Sequence, residues 1–478
     1  MASRNSFAYA HENRARFVAE LKEFVRFPSI SAQPEHAADS RKCAAWLANN
    51  LRSIGLEHVA VITTPGNPLV YADWFHVSDR PTVLVYGHYD VQPAEPLDQW
   101  RTPPFEPVIR GNDLYGRGAS DDKGQMLAHI KALESCLRTS GRLPVNVKCL
   151  FEGEEEIGSP NFGPFLAANR KALAADIVVV SDTPMSSRNR PAITYSMRGA
   201  LSLELEVRGA KIDLHDGLFG GAVHNPLKGL CDILAGLQTS DGKIAIPGFY
   251  DRVRDVSPQE RDYMASNGPD DQQILSNAGT RRAWGERDYS LYERTTIRPA
   301  LTITGIGGGY QGPGPKAIIP AQAVAKLNFR LVPEQNPLEI AQLVRDHIAR
   351  LTPVTLRSTL KRQLTAKPVT VDRGHPLIRA GAVAASKGFG SPPVFVRCGG
   401  TNPAVAAVHE TLAVPTVLLG FGLPDDQIHA PNEKFHLPNF HKGIATGICF
   451  LHEVGSAKYM VNSNVRRDTM SHSRAATL

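Results

Sequence analysis

Four short apolar runs constrain this chain most: TVLVY at 82–86, VNVKCLF at 145–151, DIVVV at 176–180 and PTVLL at 415–419. Each has the length of a strand and is predominantly apolar without a period-two alternation of charge, the pattern of a strand covered on both faces in a mostly parallel sheet between helices. Helical spacing supplies the covering layers. Phe17, Val18, Leu21, Phe24 and Val25 fall on one stripe that Pro28 stops, and a second helix from Ala37 to Ile54 carries Trp46, Leu47 and Leu51 inward and ends at Gly55. The runs also share what comes after them: His88 and Asp90 follow the first, Glu154, Glu155 and Glu156 the second, Asp182 the third, and His429 lies downstream of the fourth. Open α/β sheets bind ligands beyond the carboxyl ends of their strands.

The pattern changes near residue 200. Leu201, Leu203, Leu205 and Val207 alternate with Ser202, Glu204, Glu206 and Arg208, and Leu327, Phe329 and Leu331 alternate with Lys326, Asn328 and Arg330. Period-two alternation marks a sheet with one buried and one polar face. Helices at Pro226–Gln238 and Pro337–Leu351 suit that sheet, the second capped by Asn336 with Pro337 at its first position. The expected architecture is therefore α/β: a larger domain with a mostly parallel sheet sandwiched by helices, formed by residues 1–197 and 367–478, and an inserted α+β domain over 198–366. Residues 240–300 are polar and rich in loop formers, too long for an ordinary connection, and read as a lid or interface insertion. The tail after Glu453 lacks apolar periodicity and is expected to fray.

Composition excludes several classes. The 478 residues exceed one ordinary core, and 42% hydrophobic with 21% charged residues is a globular mixture. A formal charge of +6 without a basic run gives no reason to expect nucleic acid as a partner. No stretch approaches 18 apolar residues and the first twenty hold no signal-peptide core, so neither a membrane span nor export is expected. Cys43, Cys136, Cys149, Cys231, Cys398 and Cys449 lie far apart with no CxxC, which points to a reducing cytoplasm and away from a disulfide scaffold or a thiolate zinc site.

A further carboxylate, Asp121, sits in GRGASDDKG, a glycine-flanked turn into the helix that carries Met126, Leu127, Ile130 and Leu133. Singly, these residues have ordinary readings: a core histidine at His88, a helix cap at Asp121 and Asp122, a solvated face at 154–156. Gathered at strand ends, the carboxylates would repel unless cations or protons compensate them. Imidazole and carboxylate without thiolate is the donor set of a hydrolytic zinc, manganese or cobalt site, in which one carboxylate can bridge two ions. The glycines at 305–314 lack the GK followed by Ser or Thr of a phosphate loop and read as a substrate-side loop.

The strings GHYDVQPAEPLDQW, PFEPVIRGNDLYGRGASDDKGQ, EEIGSP, the SD at 181–182, DLHDGLFGGAVHNP, GIGGGYQGPGPKAIIP, NFRLVP and IHAPNEKF resemble those of the dinuclear-zinc metallopeptidases. That family includes cytosolic nonspecific dipeptidase, Cys-Gly dipeptidase, carboxypeptidase G, succinyl-diaminopimelate desuccinylase and aminoacylase. The resemblance spans about residues 10–450, and the insertion with IPGFYD is closer to the dipeptidase branch. It implies two zinc ions per subunit, with manganese or cobalt as substitutes: Asp121 bridging, His88 and Asp182 on one ion, Glu156 and His429 on the other. It further implies Glu155 as general base, Asp90 as the group orienting His88, and a cis bond between Asp121 and Asp122. The inserted domain becomes a lid and dimerisation domain: His215 reaches the partner's site in a homodimer, and Arg330 and Thr401 contact the substrate. The implied reaction is hydrolysis of the amide bond of a dipeptide or similar compound. Cys398, in Arg397-Cys398-Gly399-Gly400-Thr401, stands where carnosinase-like members carry a glutamate for the substrate's amino group, and Leu364 falls near a substrate histidine of those enzymes. An N-acyl or N-carbamoyl amino acid is thus the alternative substrate, and a non-catalytic binding protein on the same scaffold the reading from another class.

Overall fold

The apolar runs become neighbours. Strands Asn146–Glu152, Thr82–His88, Ile177–Val180 and Thr416–Leu419 lie side by side in that order, all parallel. Every residue of the four is buried. Burying one Val, Leu or Ile side chain contributes about 1.5–3 kcal/mol, so these runs drive the assembly of this region. The parallel arrangement read from the sequence describes these central strands, and the flanks are antiparallel: Leu69–Trp74 pairs with Asn146–Glu152, Glu57–Ile62 lies outside it, and Ala192–Met197 pairs with Thr416–Leu419. The sheet as a whole is mixed. Asp73 interrupts the apolar pattern of Leu69–Trp74, and its buried carboxylate is held by His58 Nδ1 at 2.8 Å and the Tyr71 hydroxyl at 2.9 Å.

This computed structural model describes residues 2–457. The chain forms two compact units, one of Met1–Tyr195, Val371–Val396 and Ala407–Leu478, the other of Ser196–Thr370 and Arg397–Ala406. In the first unit, helix Lys123–Ser140 is buried on nearly every side over its first fourteen residues and packs against Leu437–Ser456, which in turn packs on Pro376–Phe389. Its buried Lys131 is paired with Glu20 and Glu134. Helix Leu437–Ser456 runs past Glu453, and the rest of the tail, 458–478, lies outside the described residues. Among the described residues no helix is long and apolar enough to cross a membrane. The opening stripe forms helix Arg14–Val25, and Ala37–Ile54 ends at Gly55 with φ +99°. A helix at Ala2–Glu12 precedes both, without a counterpart in the sequence reading.

The second unit is a four-stranded antiparallel sheet in the order Ala300–Gly308, Gln322–Leu331, Gly199–Arg208, Arg357–Ala366. Leu201, Leu203, Leu205, Leu327 and Phe329 face a core shared with helices Pro226–Ala235 and Pro337–Leu351. Asn225 and Asn336 cap these helices by accepting from the amides of Leu227 and Leu338. The polar stretch after 240 is not one loop. It contains helices Pro258–Asn267, Asp271–Asn277 and Leu291–Thr296, started by the side chains of Ser257, Asp270 and Ser290 and gathered on a small core of Met264, Tyr292 and Ile297.

Candidate metal centre

His88 is the last residue of its strand and is fully buried. Gly87 before it gives helix Lys123–Ser140 room to start alongside, since a Cβ there would lie 2.8 Å from Met126 Cγ and 2.9 Å from Asp122 Oδ2. His88 Nδ1 faces Asp90, at 3.1 Å from its carbonyl and 3.4 Å from Oδ1, which leaves Nε2 as the atom that could meet an ion. The same Asp90 carboxylate accepts from the amides of Glu155 (3.2 Å) and Glu156 (3.1 Å). One buried carboxylate thus orients the imidazole and the turn Glu155–Ile157 that follows strand Asn146–Glu152.

Asp121 lies in the turn before helix Lys123–Ser140, joined to Asp122 by a cis peptide bond. Its two oxygens face opposite ways: Oδ1 is 3.1 Å from His88 Nε2 and Oδ2 is 2.9 Å from His429 Nε2. Asp182 Oδ2 stands 3.9 Å from His88 Nε2, and Glu156 Oε2 stands 3.3 Å from His429 Nε2. Gln92 steadies Glu156 by donating to the same oxygen at 2.8 Å. Two donor triplets result, His88–Asp121–Asp182 and Asp121–Glu156–His429, each with its atoms within 4.8 Å of one another. They share Asp121. A third group, Glu57, His58 and Asp73, is built on the ion pair that already satisfies Asp73.

The chemistry of this donor set fits two divalent ions: nitrogen and carboxylate oxygen only, with a bridging carboxylate between the triplets. The electrostatics agree. Burial, reinforced by Asp182, Glu156 and Asp121, pushes Glu155 well above the usual carboxylate range. Burial and Asp182 do the same to Asp122, whose Oδ1 is buried without a hydrogen-bond partner. Hydrogen bonds to Asp121 and Glu156 push His429 up to about 10. Imidazole ligates an ion in its neutral form, so metal binding competes with protons at these donors.

The remaining residues singled out from the sequence belong to the second unit. Arg330 Nη1 donates to Thr401 Oγ1 at 2.8 Å, and Thr401 donates to the Arg198 carbonyl at 2.6 Å. Burial lowers the pKa of Arg330 below the usual guanidinium value. His215 is exposed on the short strand Leu214–His215, paired with Ile318–Ile319. Cys398 ends strand Val394–Cys398, and its Sγ accepts from the Gly400 amide at 3.3 Å.

Sequence reasoning passed over Glu433, which is fully buried and accepts from Arg117 Nη1 (2.8 Å) and from the amides of Gly118 (2.9 Å), Ser120 (3.0 Å) and Asp121 (3.1 Å). It also passed over Glu152, held by the Tyr86 hydroxyl at 2.6 Å and pushed up to about 8 by burial. The available signal for Glu433 was its place four residues after His429 in IHAPNEKF.

Imidazole and carboxylate donors gathered around one aspartate make a metallohydrolase type of site, and comparison with known proteins gives the family. The model for peptidase family M20/M25/M40 matches residues 84–453. The chain is 31% identical to the Cys-Gly metallodipeptidase of Schizosaccharomyces pombe over 472 residues, covering 93% of this chain and 97% of the relative. It is 30% identical to human Beta-Ala-His dipeptidase, covering 94% and 92%. Among solved structures, an M20 family metallo-carboxypeptidase from Sulfolobus solfataricus superposes with a TM-score of 0.85 at 31% identity, covering 92% of this chain and 99% of that one. The chain belongs to peptidase family M20/M25/M40.

Proposed function

We propose that this chain is a metallodipeptidase that hydrolyses the amide bond of a small peptide bearing a free carboxylate. The observation that carries this reading is the pair of donor triplets sharing Asp121. The dipeptidase names of the relatives that span nearly the whole chain support the substrate class. Two zinc ions, or manganese or cobalt in their place, would be held by His88, Asp121 and Asp182 and by Asp121, Glu156 and His429; when bound they polarise a carbonyl and acidify water.

The chain's own groups do the rest. Glu155 takes the proton of the attacking water and passes it to the leaving amine, a role suited to a carboxylate whose surroundings raise its basicity. Asp90 keeps His88 Nδ1 engaged and holds the amide of Glu155, so imidazole and base keep one geometry. Arg330, with Thr401 fixing its guanidinium, is assigned the substrate carboxylate, a planar fork of donors for a planar acceptor. His215 is assigned to the oxyanion, in trans within a homodimer. The inserted domain is read as lid and dimerisation domain, and the wide spacing of the cysteines as that of a cytoplasmic protein.

A second substrate reading rests on Cys398. The groups in electrostatic reach of its thiol include Arg198 and Arg330. Such a setting does not favour a substrate ammonium, and an N-acyl or N-carbamoyl amino acid carries none. A panel of unblocked dipeptides and their N-acetylated forms, offered to zinc- and manganese-loaded protein before and after chelator treatment, tests both readings. The expected result is cleavage of unblocked dipeptides, abolished by the chelator and restored by either ion. Cleavage of blocked compounds alone would transfer the assignment to an amidohydrolase, and cleavage of neither would overturn both.

A further inference from the structure

His429 stands on an exposed arch with two buried carboxylates as its feet. Residues 427–429 are exposed, whereas Asp426 and Glu433 on either side are 1% and 0% exposed. Both feet rest on the loop that presents Asp121. Asp426 accepts from the Ser120 hydroxyl at 2.8 Å and the Leu423 amide at 2.7 Å, and pairs with Lys434 at 3.1 Å. Glu433 uses both oxygens: Oε2 takes Arg117 and the Gly118 amide, Oε1 takes the amides of Ser120 and Asp121 itself. The ring of His429 reaches Asp121 and Glu156, and its backbone sits at φ +60°. The feet join the segment that carries His429 to the loop that carries Asp121.

The geometry points to Glu433 as a positioning residue of the metal centre: it ties the His429 arch to the Asp121 loop and presets the donors Asp121 and His429 for one of the two ions. This inference rests on the proposed metal centre. A buried ion pair such as Arg117–Glu433 is weak evidence of a stabilising role by itself, because desolvation offsets much of the attraction. What sets Glu433 apart is that three of its four donors are backbone amides of the loop that ends at Asp121, the shared ligand. Glutamine cannot replace it. An amide offers one accepting oxygen, so its NH2 group would confront either Arg117 and Gly118 or Ser120 and Asp121, all donors.

The test is titration of metal-free protein with Co2+ against a chromophoric chelator, with the visible Co2+ absorption bands as a second readout, on wild type, Glu433→Gln and Glu433→Asp. Wild type is expected to bind two Co2+. In Glu433→Gln the affinity for the ion beside Glu156 and His429 should fall about 10–100-fold, the usual effect of removing a partner that orients a ligand, while the other, which shares only Asp121 with it, falls by a smaller factor and the Co2+ bands shift. Glu433→Asp keeps the charge and should give a smaller loss in the same direction; it carries the test if the glutamine variant does not fold. Two Co2+ bound by both variants with wild-type affinity and spectrum, even with a lowered melting temperature, would make Glu433 merely structural and overturn the inference. Failure of wild type itself to bind two Co2+ would overturn the metal centre and this inference with it.

Discussion

Glu155→Gln is expected to lower kcat on a cleaved dipeptide by about 10²–10⁴-fold, the range of a lost general base, while two ions remain bound. Glutamine has nearly the shape of glutamate but cannot accept the proton of water. Glu155 is not one of the six donor positions in the two triplets, so metal content should be unchanged when measured on the same preparation. In the metal-free protein, burial and the carboxylates of Asp182, Glu156 and Asp121 hold the pKa of Glu155 well above its ordinary value. A raised carboxylate pKa means that stability is lost as pH rises above the unfolded value, because the folded protein must either keep the proton or bury the charge. The metal-free glutamine variant should therefore melt no lower than wild type, with an advantage that grows with pH. Melting curves at several pH values check this, and a variant that is less stable throughout would contradict the electrostatic account. Loss of activity with gain of stability is the signature of a functional group kept at a cost to the fold.

Asp121→Ala should have the larger effect on metal. Because its two oxygens serve both triplets, truncation removes a donor from each, and both ions should be lost at micromolar protein; kcat/KM should fall by at least ~10³-fold, about 4 kcal/mol. Asp182→Ala is the comparison, since Asp182 belongs to only one triplet and its loss should spare one ion. The Asp121 loop should survive, since Glu433 holds it through backbone amides that alanine retains. Elemental analysis of dialysed protein, with circular dichroism to confirm folding, reads the outcome. Equal metal loss in the two variants would mean that Asp121 is not shared.

What the sequence shows of this molecule follows its periodicity. His88, Asp90, Glu155, Glu156 and Asp182 could be gathered in advance because each follows a run whose apolar character demands a buried strand, and the strand ends then bring them together. The alternation at Leu201–Val207 likewise specified a sheet with one buried face. Leu69–Trp74 is also a wholly buried strand, but it did not stand out among the apolar runs: Asp73 lies within it, and only the fold supplies His58 and Tyr71 as partners. The helices after residue 250 are short and share a very small core, so their apolar stripe is faint; the caps Ser257, Asp270 and Ser290 were the better clue. Glu433 shows a different limit. It sits in a loop without periodicity, and its partners at 117–121 lie more than 300 residues away in the chain, brought to it by tertiary structure alone.

The central claim is that two ions share Asp121. Anomalous X-ray scattering at the zinc edge, from crystals of zinc-loaded protein, tests it most directly. The account predicts two peaks roughly 3.5–4 Å apart with Asp121 between them, one beside His88 and Asp182 and the other beside Glu156 and His429. A single peak, or two peaks of which one does not touch Asp121, would contradict it.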